Sequence, residues 1–170
     1  MESPKTSLAI IAERLKRAEI FQSLSNEDLL DIAEFCHEEE HDKDVVIFVE
    51  GEAAEKLAVV ERGKLSLEKK VQIGMHTTPR NATLGYVGPG GIAGFSTLTE
   101  PHVYSTSVIT VEPTRLTIVD GVALRQYLQT HPVAGWQVMT ALATLIGERY
   151  RQSTHTLTYF LSIVSHELRA

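Results

Sequence analysis

The stretch "GPGGIAGFSTLTEPHVYSTSV", residues 88–108, places glycines at Gly88, Gly90, Gly91 and Gly94 and then runs through a short turn into a Ser/Thr-rich segment. Glycine reaches positive φ without steric cost and lets a backbone approach a neighbour closely. The stretch is therefore shaped to turn sharply and to meet something at short range. Which fold uses it is decided by what lies on either side.

Upstream, the run "VVIFV" at residues 45–49 is β-branched and aromatic and ends at "EGEAAE", a turn signal with Gly51 free for positive φ. "LAVVERGKLSLEKKV" follows, with Gly63 dividing two short strands. Further strands are expected at residues 83–87 and 105–119, where "STSVITVEPTRLTIV" is strand-like on both sides of Pro113. Short strands at this spacing predict a small antiparallel barrel or roll.

Helices flank it. Leu8, Ile11, Leu15, Ala18 and Phe21 recur at helical spacing, which predicts a helix over residues 6–22. Ser25 with Asp28 three residues on is a capping-box-like start for a second helix to about Cys36. Asp120 can cap a helix over residues 121–130, and Pro132 stands where another begins. In that last helix Met139, Leu142, Ile146, Tyr150, Ser153, Leu157, Phe160, Val164 and Leu168 step by three or four residues. So long a stripe outruns the small roll it starts from, and a second copy of the same helix in a parallel homodimer would cover it. Folding back at the polar "RQSTHT" segment is the alternative, although no Gly or Pro breaks the run there.

Composition narrows the function classes. The chain has 170 residues, room for one domain with an appendage, and its 43% hydrophobic and 22% charged residues are those of an ordinary globular protein. A net charge of −6 without clustered Lys and Arg argues against direct DNA binding. The single cysteine, Cys36, rules out an internal disulfide and predicts a reducing, cytoplasmic setting. "MESPKTSLAI" lacks a basic leader region, and the uncharged residues 132–147 are too few and too often Gln or Thr to span a membrane. In "CHEEEHD", His37 and His41 would chelate a metal on a helix, but a passage from helix to first strand would scatter them, so no metal site is expected. No cofactor is expected. The polar "MHTTPRNATLGY" reads as a hairpin excursion.

Taken in order, the N-terminal helices, "IFVEGE", "VVERGKLSL", "PGGIAGFSTLTEP" and the long final helix resemble the cyclic-nucleotide-binding domain of the catabolite-activator type over about residues 12–150. The resemblance implies an α+β fold: an antiparallel, jelly-roll-like β-roll over residues 1–131 with its flanking helices, then a dimerisation helix over residues 132–170. It further implies a non-catalytic regulatory role, in which a ligand or partner alters how the roll sits on the dimer helices.

The family's phosphate-binding cassette would fall on Gly91, Ile92, Ala93, Gly94, Phe95 and Ser96, continued by Tyr104, Ser105 and Thr106. The family's ribose-binding Glu falls on Phe95 and its phosphate-binding Arg on Tyr104. Neither can do that work: a cyclic phosphate carries a full negative charge that a guanidinium fork matches and a phenol does not. The N–H groups of residues 92–94 could still form an anion nest, and no basic residue near in sequence replaces the missing cation. Phe95, Tyr104, Ile92 and Leu98 either line an apolar pocket for an uncharged ligand or fill the nucleotide's space themselves.

The ending "FLSIVSHELRA" is similar to the phosphoacceptor box of sensor histidine kinases, which would make His166 the acceptor and Glu167 its general base. That resemblance implies a partner kinase or regulator, or a sensory fragment of a kinase. The box's following proline, second helix and nucleotide-binding domain do not occur in this sequence, so the chain alone is not expected to be an enzyme.

Overall fold

The computed structural model describes residues 4–71 and 80–167, with side chains for residues 7–71 and 80–155. Helices α1 (Pro4–Lys16) and α2 (Asn26–Ala33) lead into strands β1 (Cys36–His41), β2 (Val46–Phe48), β3 (Lys56–Arg62), β4 (Leu65–Val71), β5 (Arg80–Val87) and β6 (Ile92–Ala93). A single 3-10 turn (Phe95–Leu98) separates β6 from β7 (Ser107–Thr110) and β8 (Thr114–Asp120), and α3 (Gly121–Thr130) and α4 (Pro132–Glu167) close the chain. The strands form two antiparallel four-stranded sheets, ordered β1-β8-β3-β6 and β2-β7-β4-β5, as the α+β roll requires.

The central strand β3 shows why the layers stack as they do. Leu57, Ala58, Val59 and Val60 are all buried. Side chains alternate across a strand, so Leu57 and Val59 join the core beneath the helices, while Ala58 and Val60 join the core between the two sheets. The helical core adds Leu15, Phe21, Leu29, Ile32, Leu124 and Val138. Each such side chain stabilises by roughly 1.5–3 kcal/mol relative to remaining in water.

The helix starts follow the capping signals. Ser25 Oγ accepts from the Asp28 N–H at 3.1 Å while the Asp28 carboxylate accepts from the Ser25 N–H at 3.3 Å. Asp120 accepts from the N–H groups of Val122 and Ala123, both at 2.9 Å. The expected helix over 6–22 ends earlier, at Lys16. Ala18 and Phe21 are buried as their spacing implied, but their N–H groups donate to the carbonyls of Leu15 and Ala18, three residues back, in tight turns. The second helix likewise stops at Ala33.

Beyond it lies a strand that the polar sequence hid. "CHEEEH" is β1, paired with β8 from Cys36↔Val119 to His41↔Thr114. It is an edge strand with both faces partly wet, so the inside-outside alternation that betrays most strands is missing. The two-residue β6 was also unforeseen, being too short to leave a pattern.

The stripe along α4 needs one correction. Leu142 is 1% exposed and packs with Val138 and Leu145 in the chain's own core. The free face carries Trp136, Met139, Ile146 and Tyr150 instead, with Trp136 75% and Tyr150 71% exposed. The side chains of Leu157, Phe160, Val164 and His166 lie outside the described residues, as does Leu168. Among the described residues no helix is long and apolar enough to cross a membrane.

The start of α3 is the tightest joint in the roll. Gly121 donates its N–H to Glu55 O at 2.7 Å, and a Cβ added there would stand 2.9 Å from that oxygen and collide with the buried Thr97 hydroxyl. Gly121→Ala is expected to destabilise the domain by roughly 1–3 kcal/mol, the usual range for overpacking. Urea unfolding checks this: the midpoint should fall at an unchanged m-value, and an unmoved midpoint would contradict the packing described.

Candidate functional site

The glycine-rich stretch lies against the central strand. β6 pairs with β3 through Ala58↔Ala93 and Val59↔Ile92, and Ile92 and Ala93 are fully buried. Gly94 then turns the chain at φ 82°, where a Cβ would stand 2.7 Å from the Phe48 ring and 2.8 Å from Lys56 O. Only glycine fits, for conformation and for space alike. The 3-10 turn that follows carries Phe95 and Ser96, and the chain returns past the site at Tyr104, Ser105 and Thr106.

Tyr104 occupies the heart of this loop. It is 6% exposed, and its ring stacks on Phe48 with centroids 4.5 Å apart and planes at 11°. Its hydroxyl donates to Lys56 O at 2.9 Å and accepts from the Lys56 N–H at 3.1 Å, so both hydrogen-bonding roles are taken. Burial raises the phenol's pKa, while the backbone hydrogen bonds at Lys56 pull the other way. The space left among Gly94, Phe95, Ser96, Tyr104, Ser105 and Thr106 is about 20 Å³, room for a single water. Tyr104 is thus buried, and little free space adjoins it. Gly91 lies in the turn before β6, outside that cavity.

One cation at the site came from a part of the chain where sequence reasoning did not look. Arg149 of α4 lines the same small cavity, with its guanidinium 5.1 Å from the Phe95 ring centroid. It donates to Ile92 O at 2.6 Å and lies 3.7 Å from the Glu19 carboxylate. Burial lowers its pKa and Glu19 opposes that shift. Glu19 in turn accepts from the Ile92 N–H at 3.1 Å. One donor of the expected anion nest is thus already spent on the protein's own carboxylate. A signal for Arg149 did exist: it extends the buried series Ala134, Val138, Leu142, Leu145 by one more step of four. Lys69 also reaches the cassette, donating to Ser105 O at 2.9 Å while paired with Glu50 at 2.6 Å.

The histidine pair sits elsewhere, on β1. Strand alternation puts His37, Glu39 and His41 on one side rather than scattering them, and the Glu39 carboxylate receives both Nε2 atoms, at 2.8 and 2.7 Å. Burial would raise the Glu39 pKa, but hydrogen bonds and charge from the two imidazoles bring it below its usual value. Among the described residues no group of three His, Cys, Asp or Glu side chains is arranged to hold a metal ion. Burial, with Asp120 nearby, pushes the Cys36 thiol up to about 12, which leaves it an unreactive thiol at neutral pH.

Comparisons with known proteins agree with this architecture. The family model described as "Cyclic nucleotide-binding domain" matches residues 38–131. A CRP-like cAMP-activated global transcriptional regulator of Mycobacterium tuberculosis is 24% identical over 145 residues, covering 85% of this chain and 61% of the relative. The chain thus spans about three fifths of the length of the curated relatives it matches. A putative cyclic nucleotide-binding protein from Geobacter metallireducens GS-15 superposes with a TM-score of 0.70 at 29% identity, over 88% of this chain and 99% of that one. A cyclic nucleotide-binding domain from Methylobacillus flagellatus shares the fold at a TM-score of 0.72 and 22% identity, over 90% and 83% of the two chains. With more than half its length matched by the family model and the same roll, cassette and helices in place, the chain belongs to the cyclic nucleotide-binding domain family.

Proposed function

We propose that this chain is a non-catalytic sensory and regulatory domain whose cassette is occupied by its own side chains, so that it does not take a cyclic nucleotide in the usual way. The observation that carries this reading is Tyr104. Its ring and hydroxyl fill the position that matches the family's phosphate-binding arginine, and about 20 Å³ remains where a ligand pocket needs at least about 300 Å³. Admitting a nucleotide means breaking the Phe48 stack, worth roughly 0.5–1.5 kcal/mol, and two hydrogen bonds of roughly 1 kcal/mol each. The cyclic phosphate would then still lack a free guanidinium, because Arg149 is engaged by Glu19 and Ile92 O.

The domain works as a homodimer through α4. Trp136, Met139, Ala143, Ile146 and Tyr150 follow one another at alternating steps of three and four, all on the solvent side. That is the spacing of a left-handed coiled-coil seam, and a second α4 is the partner that fits it in parallel register. A binding event or partner that changes how the roll sits on the paired helices supplies the regulation.

Two experiments test these statements. In calorimetry the unmodified chain should show no saturable binding of cyclic AMP or cyclic GMP up to about 1 mM, the regime of roughly 4 kcal/mol. Tyr104→Arg with Phe95→Glu should restore measurable affinity, since it opens the filled space and supplies both missing groups. Micromolar binding by the unmodified chain would overturn the reading.

In sedimentation at about 10 μM the chain should run as a dimer, and Met139→Glu with Ile146→Glu should yield a folded monomer. Leu142→Glu should instead unfold the domain, because that side chain sits in the core of its own subunit. A monomeric mass for the unmodified protein would sink the dimer.

A further inference from the structure

The backbone of Ile92 is held on both sides of its Cα by side chains from opposite ends of the domain. Its N–H donates to Glu19, in the turns after α1, at 3.1 Å, and its C=O accepts from Arg149, in α4, at 2.6 Å. The two side chains also face each other at 3.7 Å, and the Arg149 guanidinium covers the Phe95 ring. The Glu19 N–H is tied as well, donating to Gly90 O at 3.0 Å. Three segments far apart in sequence thus meet at one residue, Ile92.

The pair forms one wall of an open groove of about 500 Å³ between the 17–22 turns, the end of β5 with the 88–91 loop, and α4, which Arg17 and Glu148 also line. A partly buried ion pair of this kind contributes little net stability by itself, since desolvation offsets attraction. What it contributes is position: a guanidinium fork bonded to a carbonyl and stacked on a ring fixes where α4 lies against the cassette.

We propose that Glu19 and Arg149 are a built-in latch that holds α4 docked on the cassette with no ligand present, so that the movable part of the domain is the latch and not an occupied pocket. A signal then acts by opening it. Displacing the turns that carry Glu19 takes away one of the two partners of Arg149 and loosens the stretch of α4 around it over the cassette, while the earlier turns of α4 stay in the core through Val138 and Leu142. The latch requires neither nucleotide binding nor the dimer, and it stands or falls separately from them.

Amide hydrogen exchange read by mass spectrometry on the whole chain tests it. Arg149→Gln should speed exchange about tenfold or more in peptides covering residues 88–98 and 145–152, while β3 and β8 keep the protection of the unmodified protein. Glu19→Gln should affect the same two regions to a smaller extent, because the bond from Arg149 to Ile92 O survives. The double variant should be no faster than Arg149→Gln alone, as expected of two groups in one network. Arg149→Lys, which keeps the charge but not the fork, should fall between. If Arg149→Gln fails to fold, Glu19→Gln decides: acceleration confined to the two regions supports the latch. Unchanged exchange there, or acceleration spread evenly over both sheets, overturns it. Measuring mass on the same samples keeps this result separate from the dimer's, since a monomer with the expected exchange pattern refutes only the seam.

Discussion

Burial of β3 on both faces is the constraint from which the other features follow. Because Leu57 and Val59 face the helices while Ala58 and Val60 face the second sheet, β3 must lie in the middle of its sheet with a layer on each side. Its backbone then becomes the mounting for the site. Lys56 offers the N–H and C=O that hold the Tyr104 hydroxyl, and Ala58 and Val59 pair with the two residues of β6. At its far end Glu61, with its side chain only 10% exposed, accepts from Thr117 and faces Arg14 of α1 at 3.3 Å, which fastens the first helix to the sheet.

The ion pairs of Arg14 and Arg149 share a physical logic. Arg14 reaches Glu38 and Glu61, and Arg149 reaches Glu19, each joining a helix to the roll at a place where packing alone would allow sliding. Apolar contact is non-directional, whereas a guanidinium fork accepts only a narrow range of positions. The helices are therefore held against the roll by hydrophobic burial and set in register by arginine.

The glycine-rich loop is built chiefly from main-chain geometry. Its shape rests on backbone: a glycine at positive φ, a two-residue strand on β3 and a 3-10 turn. Tyr104 is buried against Phe48 within this frame, and Phe95 packs at its edge under the Arg149 guanidinium.

Most of the architecture was legible in the sequence because it rests on short-range rules. The Ser25–Asp28 capping box, the Asp120 cap, the β-branched runs of β2 and β3 and the order of glycines each involve residues within a few positions of one another. The rest depended on pairs far apart in the chain. β1 is a strand because β8, some 75 residues on, supplies its hydrogen bonds, although its own residues are polar. Leu142 is core and its neighbour Ala143 is exposed because the roll lies on one side of α4, a matter of about 100° of helix rotation that periodicity leaves open when both faces are apolar. Arg149 joins the cassette across 57 residues: helical periodicity places it on the inner face of α4, but its partner there was decided only by the tertiary packing of α4 on the roll, which brings the guanidinium to the Ile92 carbonyl.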